Sequence, residues 1–301
     1  MTVNDNTFVD KLRFGTVGAP STTPKPGGTS NAIRHTLLLG LQHLEIAWTQ
    51  SVRVTDETCA DIKKTSEAAG ISLSVHAPYF INLNSQTSEL MAKSDERLLT
   101  AARKGWLAGA KDIVFHPGSY HNQPPEVVYE RAKEKMLELT GILREEGVDV
   151  YLRPETMGKV AMFGTLEECV QLSHDVPGVL PAIDWAHLHA RRGDGSFNSY
   201  DEFAAALKLC REKLGDEGMK KMHFHMSGIE YTTKGEKLHV PLNEADIRYR
   251  ELLQAFIDFG VEGTVGVEAP EPFHVADALL LQATYRRLQG AGEGKEEETA
   301  D

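Results

Sequence analysis

Six places in this 301-residue chain put a metal-binding side chain next to a short run of β-forming residues. They are Ser74-Val75-His76, Val114-Phe115-His116, Leu152-Arg153-Pro154-Glu155, Ile183-Asp184, Phe224-His225 and Val267-Glu268. A lone histidine or carboxylate in such a setting is ordinarily a hydrogen-bonded core or rim group. Six together change the chemistry. If they converge, the carboxylates of Glu155, Asp184 and Glu268 repel one another strongly, and the sequence offers no matching set of inward Arg or Lys. Cations must then make up the difference. Neutral imidazoles mixed with carboxylates suit Zn²⁺, Mn²⁺ or Fe²⁺, whereas all-oxygen sites suit Mg²⁺ and Ca²⁺. Six ligands exceed what one tetrahedral ion needs. Two ions sharing a bridging carboxylate would use them all, and such a pair can generate a hydroxide nucleophile and stabilise the leaving oxygen of a phosphodiester.

Convergence requires a scaffold that brings strand ends together. Short β-rich segments alternate along the chain with longer helical patterns, the signature of βα units and a parallel sheet. The expected strands are Leu12–Val17, Leu44–Trp48, Leu73–His76, Ile113–His116, Val150–Arg153, Leu180–Asp184, Met222–His225 and Thr264–Glu268. Thr165–Glu168 and Ser199–Glu202 read as capping boxes that start two helices. In the second, Phe203, Ala206, Leu207, Cys210 and Leu214 share one apolar face. Pro124–Glu146 does the same with Val127, Val128, Met136, Leu139 and Leu143, and Gly147 stops it. A doubly wound open sheet would carry a Gly-rich phosphate turn after the first strand, and Gly15-Thr16-Val17-Gly18 has the wrong spacing. The expected fold is a single α/β (β/α)8 TIM barrel over residues 11–289, with disordered tails at 1–10 and 290–301. In barrels the C-terminal ends of the strands carry the site, and that is where the six residues fall.

An apolar share of 41% and a charged share of 25% are those of a soluble globular protein, with no run long enough for a membrane span. Residues 1–10 show no basic and then apolar stretch of the kind that directs export, and Cys59, Cys169 and Cys210 form no C-x-x-C pair. A cytoplasmic location is expected, with no membrane and no protein partner. The formal charge of −12 argues against a broad nucleic-acid footprint but not against a local one, because bound cations would offset it where it matters.

The segment His76-Ala77-Pro78-Tyr79-Phe80-Ile81-Asn82-Leu83 resembles the endonuclease IV family of apurinic/apyrimidinic endonucleases, within the xylose isomerase-like barrels. The resemblance runs from the first strand to the last helix. It implies that His76 and His116 bind a first zinc, that Glu155 bridges, and that Asp184, His225 and Glu268 complete a second, with Glu155 central to catalysis. The family's third zinc implies His187 and His239 as ligands, but Lys237 stands where the family has Asp, and an ammonium is no ligand. That leaves a two-metal variant, a Lys237 charge replacing part of the third ion, or Glu236 swinging in. Tyr79 and Phe80 would sit on a DNA-penetrating loop or, alternatively, cover the top of the core; Arg191 and Arg192 would contact phosphate or be plain surface charge. The implied substrate is double-stranded DNA with abasic sites, incised on their 5′ side. Glu155, Asp184, His225 and Glu268 alone also resemble the one-metal set of sugar isomerases and epimerases, so that reading stays open beside the hydrolase. A non-catalytic metal- or partner-binding barrel is the third.

Overall fold

The computed structural model describes residues 11–298. Its strands run β1 (Leu12–Val17), β2 (His43–Ala47), β3 (Ser72–His76), β4 (Asp112–Phe115), β5 (Tyr151–Pro154), β6 (Ala182–Asp184) and β7 (Met222–Met226), then a hairpin of β8 (Gly228–Thr232) and β9 (Gly235–Val240), and finally β10 (Gly263–Val267). Eight of them form one sheet in the order β5-β4-β3-β2-β1-β10-β7-β6, and every ladder is parallel. The sheet closes on itself between β5 and β6 through two isolated bridges, Leu152 to Val179 and Glu155 to Ala182. The expected single (β/α)8 barrel is the observed fold.

The helices that wrap it begin and end where local chemistry dictates. Thr165 caps α5 (Leu166–Asp175) as a full box, its hydroxyl accepting from Glu168 N–H while Glu168 reaches back to Thr165 N–H at 2.8 Å. The second expected box is only half formed. Glu202, at the start of α7 (Tyr200–Met219), accepts from the N–H groups of Phe197 and Asn198 and from the Ser199 hydroxyl, but Ser199 caps nothing in return. Phe203, Ala206, Leu207 and Cys210 are buried as the periodicity requires. On α4 (Pro125–Glu145) the buried face is Val128, Ala132, Met136, Leu139 and Leu143, whereas Val127, expected on it, is 43% exposed. One residue of helical rotation separates the two valines, enough to carry Val127 off the face.

The core lies between barrel and helices in two large clusters, one built around Val75, Ile113 and Phe115, the other around Trp185, Phe224 and Phe256. Gly15 shows how closely the strands approach: a Cβ there would sit 1.8 Å from the carbonyl oxygen of His43 on β2. The last helix, α9, extends from His274 to Glu298, past the expected barrel end at 289, and residues 1–10 and 299–301 lie outside the described residues. Among the described residues no helix is long and apolar enough to cross a membrane.

Candidate metal centre

Every one of the six strand-end residues reaches the same mouth. His76 is the last residue of β3 and Asp184 the last of β6, while His116, Glu155 and Glu268 follow β4, β5 and β10 directly, and His225 lies one residue before the end of β7. His76, Glu155, Asp184 and His225 are buried; His116 and Glu268 line the opening.

Glu155 organises the geometry. Its Oε2 lies 3.2 Å from both His76 Nε2 and His116 Nε2, and its Oε1 lies 3.2 Å from His225 Nδ1 and 3.4 Å from His187 Nδ1. Two sets of ligand atoms therefore meet on opposite oxygens of one carboxylate. His76, His116 and Glu155 each offer an atom within 4.8 Å of the others, and so do Glu155, Asp184, His225 and Glu268. Asp184 caps α6 (Trp185–Arg191) by accepting from His187 N–H at 2.7 Å through Oδ1, and its Oδ2 is buried with no hydrogen-bond partner. A buried carboxylate oxygen with no hydrogen bond, its imidazole neighbour His187 Nδ1 at 3.5 Å, fits a bound cation, which would offset its lost hydration better than that contact. The histidine rings are preset as well. His76 Nδ1–H donates to the Ala77 carbonyl and His187 Nδ1–H to the Thr156 carbonyl, both at 2.9 Å, which leaves each Nε2 free to ligate.

A further group gathers Asp184, His187, His239 and Glu268 within the same 4.8 Å. His239 comes from the β8–β9 hairpin and is held by the Ser227 hydroxyl. Lys237 is turned away from this group and donates to Glu230 at 2.6 Å, so its charge is not spent in the mouth. Glu236 faces inward instead, its Oε2 3.8 Å from His187 Nε2. The backbone makes room for it, because a Cβ on Gly158 would sit 2.8 Å from the Glu236 Cβ.

The site is electrostatically tense without metal. Burial pulls the His76 and His187 imidazoles down, but surrounding carboxylates win and raise each to about 9; for His76 the strongest is Glu155, for His187 Asp184. His225 is likewise raised well above its ordinary value against burial, by Glu45, Glu268 and Glu155. Glu155 is held well below the usual carboxylate range, against burial, by His225 and His116. Protons here stand in for cations.

Around the rim, Tyr79 stacks on His116 with ring centroids 5.1 Å apart and remains 47% exposed, and Phe80 beside it is 59% exposed. Arg191 donates to the carbonyls of Met157, Lys159 and Met162 at 2.8–2.9 Å, tying the loop after β5 to α6, while Arg192 is exposed. One inward cationic side chain is present, short of a matching set. Arg153 is 2% exposed, but Asp112 and the carbonyls of Pro181 and Lys221 take up its guanidinium at the N-terminal side of the mouth. Three inward residues escaped the sequence reading, namely His43 and Glu45 on β2 and His223 on β7, all fully buried. The signal was a charge inside the apolar run Leu44-Glu45-Ile46, and a histidine two residues before His225, hence on the same strand face.

Fold and site together define a (β/α)8 barrel whose C-terminal mouth could hold divalent cations. The chain belongs to the xylose isomerase-like TIM barrel family, whose profile matches residues 34–286. It is 36% identical to an uncharacterized protein of Methanocaldococcus jannaschii over 92% of this chain and 98% of that one. A probable endonuclease 4 of Geobacillus sp. is 31% identical over 51% of each chain, so this match spans about half of both. Among solved structures, endonuclease IV from Thermus thermophilus superposes with a TM-score of 0.70 at 23% identity, covering 91% of this chain and 99% of that one. A D-tagatose 3-epimerase-like protein matches with the same TM-score of 0.70 at 16% identity, covering 94% and 99%. At those identities the structural likenesses speak for the fold alone.

Proposed function

We propose that the protein is a metal-dependent phosphodiesterase that incises double-stranded DNA on the 5′ side of abasic sites. The observation that carries this reading is the two-sided carboxylate: Glu155 Oε2 faces His76 and His116 while Oε1 faces His225, all at 3.2 Å. Such a bridge suits two ions, for which zinc fits the donor set best and Mn²⁺ or Fe²⁺ next. Ions held there would supply Lewis-acid charge to a phosphoryl group and acidify water. The chain's own residues do the rest. Glu155 separates and shares the two ligand sets, the Ala77 and Thr156 carbonyls fix the rings of His76 and His187, and Asp184 contributes an Oδ2 that no hydrogen bond occupies. Glu236 is the carboxylate that would join His187 and His239 around a third ion in place of the absent aspartate. Tyr79 and Phe80 expose aromatic surface beside the mouth, suited to packing into a gap where a base is missing. Arg192, exposed at the end of α6, is a cation suited to a phosphate contact. The partial identity to the probable endonuclease 4 supports the same reading.

The alternative is a one-metal sugar epimerase, favoured by the Glu155, Asp184, His225 and Glu268 group and by the epimerase-like fold match. His76 and His116 separate the two, since one ion has no use for both. Metals bound to the purified chain should be counted by mass spectrometry, and an abasic duplex and a ketose assayed in parallel. Two or more ions per chain, with incision abolished in Glu155→Ala, is the expected result. A single ion with sugar turnover would overturn the nuclease reading.

A further inference from the structure

Beneath the metal centre lies a chain of buried polar groups beyond the six strand-end ligands, in which Glu45 also offers an oxygen within 4.8 Å of ligand atoms of His43 and His223 and of His76 and Glu268. Glu45 is fully buried inside the barrel, where its two oxygens face only hydrogen-bond donors. Three donors converge on it. His225 Nε2 lies 3.0 Å from Oε1, His223 Nε2 lies 2.9 Å from Oε2, and the Ser74 hydroxyl donates to Oε2. Beyond them, the Thr264 hydroxyl lies 2.7 Å from His223 Nδ1, and Ser74 Oγ and Ser72 Oγ lie 3.1 and 3.0 Å from the two ring nitrogens of His43.

A single proton assignment satisfies the bonds that converge on Glu45. Thr264 donates to His223 Nδ1, so His223 donates through Nε2 to Glu45; Ser74 donates to Glu45 and accepts from His43 Nε2. The remaining Glu45 lone pair faces His225 Nε2, which must carry a proton to use it. His225 Nδ1 is then left toward Glu155 Oε1 at 3.2 Å and Glu268 Oε1 at 3.6 Å. The path between β2 and β7 crosses β1 and β10, and it is open because Gly266 lacks a side chain: a Cβ there would lie 3.3 Å from His225 Cδ2.

We propose that Glu45 is a positioning residue for the metal centre. By accepting the Nε2–H of His225 it fixes the tautomer and ring angle in which His225 Nδ1 serves as a metal ligand, with His223 and Ser74 holding the carboxylate in place. A hydrogen bond to the far nitrogen of a ligating imidazole both orients the ring and raises its basicity, and losing it costs about 10- to 100-fold in metal affinity. The proposal rests on the metal-centre reading above. It gives the buried charge a task that a bracing role alone does not, since an apolar side chain would brace the barrel without desolvating a carboxylate.

The test uses the full chain, stripped with a chelator and reloaded with zinc, in wild-type and Glu45→Gln forms. Competition against a chromophoric chelator should show zinc binding about 10- to 100-fold weaker in the variant, with the wild-type number of ions restored at saturating zinc. Histidine ¹⁵N NMR on the zinc-loaded wild type, which needs no variant to fold, should show His225 bound through Nδ1 with a protonated Nε2. In Glu45→Gln that single tautomer should be lost while the circular dichroism spectrum is kept. Zinc on His225 Nε2, or unchanged affinity and tautomer in Glu45→Gln, would overturn the proposal. So would a variant that stays one ion short at saturation, because Glu45 would then be a ligand. A wild-type chain that takes up no zinc overturns the metal-centre reading itself, a failure distinct from all of these.

Discussion

Glu155 has no solvent exposure, yet nitrogens of His76, His116, His187 and His225 lie within 3.2–3.4 Å of its oxygens. Removing ligands from one side should therefore spare the other. His116→Ala is expected to weaken one ion strongly and leave a tight one on Glu155, Asp184, His225 and Glu268, read as a drop in chelator-resistant zinc; equal loss of both ions would contradict the division. Protons and metal also compete at these residues. In the metal-free protein His76 and His187 are raised from 6.5 to about 9, so the stability they contribute is complete below pH 6.5 and lost as the pH rises through 9. Melting temperature of the stripped protein should fall across that window, whereas the zinc-loaded protein, whose cations do not titrate away, should change less. Zinc uptake should release protons over the same range and tighten toward its upper end. A flat melting curve for the stripped form would refute the assignment.

At the scale of elements, the barrel strands were legible because each is a short run with apolar or aromatic residues between longer helical patterns, and the strand-end ligands stood out as polar residues closing those runs. Glu45 left only a faint local mark, a charge inside an apolar run. Its role acquires meaning only when the curved sheet sets β2 across from β7 through β1 and β10, and no local pattern records that distance. The β8–β9 hairpin was missed for a related reason: Gly228–Val240 lies outside the eightfold repeat, and its ladder is antiparallel with a bulge at Glu230 and Tyr231. That hairpin is docked rather than merely adjacent, for Glu236 N–H donates to the Gly158 carbonyl at 2.9 Å. Gly158→Val should push Glu236 from His187 and weaken the last ion to bind while sparing the first two, visible as loss of the weakest phase in zinc titrations. By contrast Thr165→Ala, which removes the α5 capping box whose hydroxyl bonds Glu168 N–H and no ligand side chain, should cost about 1 kcal/mol of stability and leave zinc binding unchanged. Denaturant melts and metal titrations together separate the two.

For the whole molecule, a formal charge of −12 opposes approach of a polyanion, so the proposed DNA substrate would have to be held by the mouth and the cations proposed there. Chelation should then weaken binding of an abasic duplex at least about tenfold, measured by anisotropy at fixed salt; undiminished binding by the stripped chain would argue against a metal-borne DNA site. The barrel's closure has a mechanical side. Seven of its joints are continuous ladders, but between β5 and β6 the sheet is joined only by the Leu152–Val179 and Glu155–Ala182 bridges, with the Thr156 hydroxyl donating to the Asp184 carbonyl and accepting from the Asp184 N–H alongside. Glu155 and Asp184 are also members of one candidate ligand set, from opposite sides of that joint. An ion shared by them would act as a clasp, turning the weakest seam of the hoop into one bound on both edges. Amide exchange at Thr156, Leu180 and Asp184 should accordingly quicken on chelation before exchange in β1 or β10 does, and the hoop should open first at the residues proposed to do its chemistry.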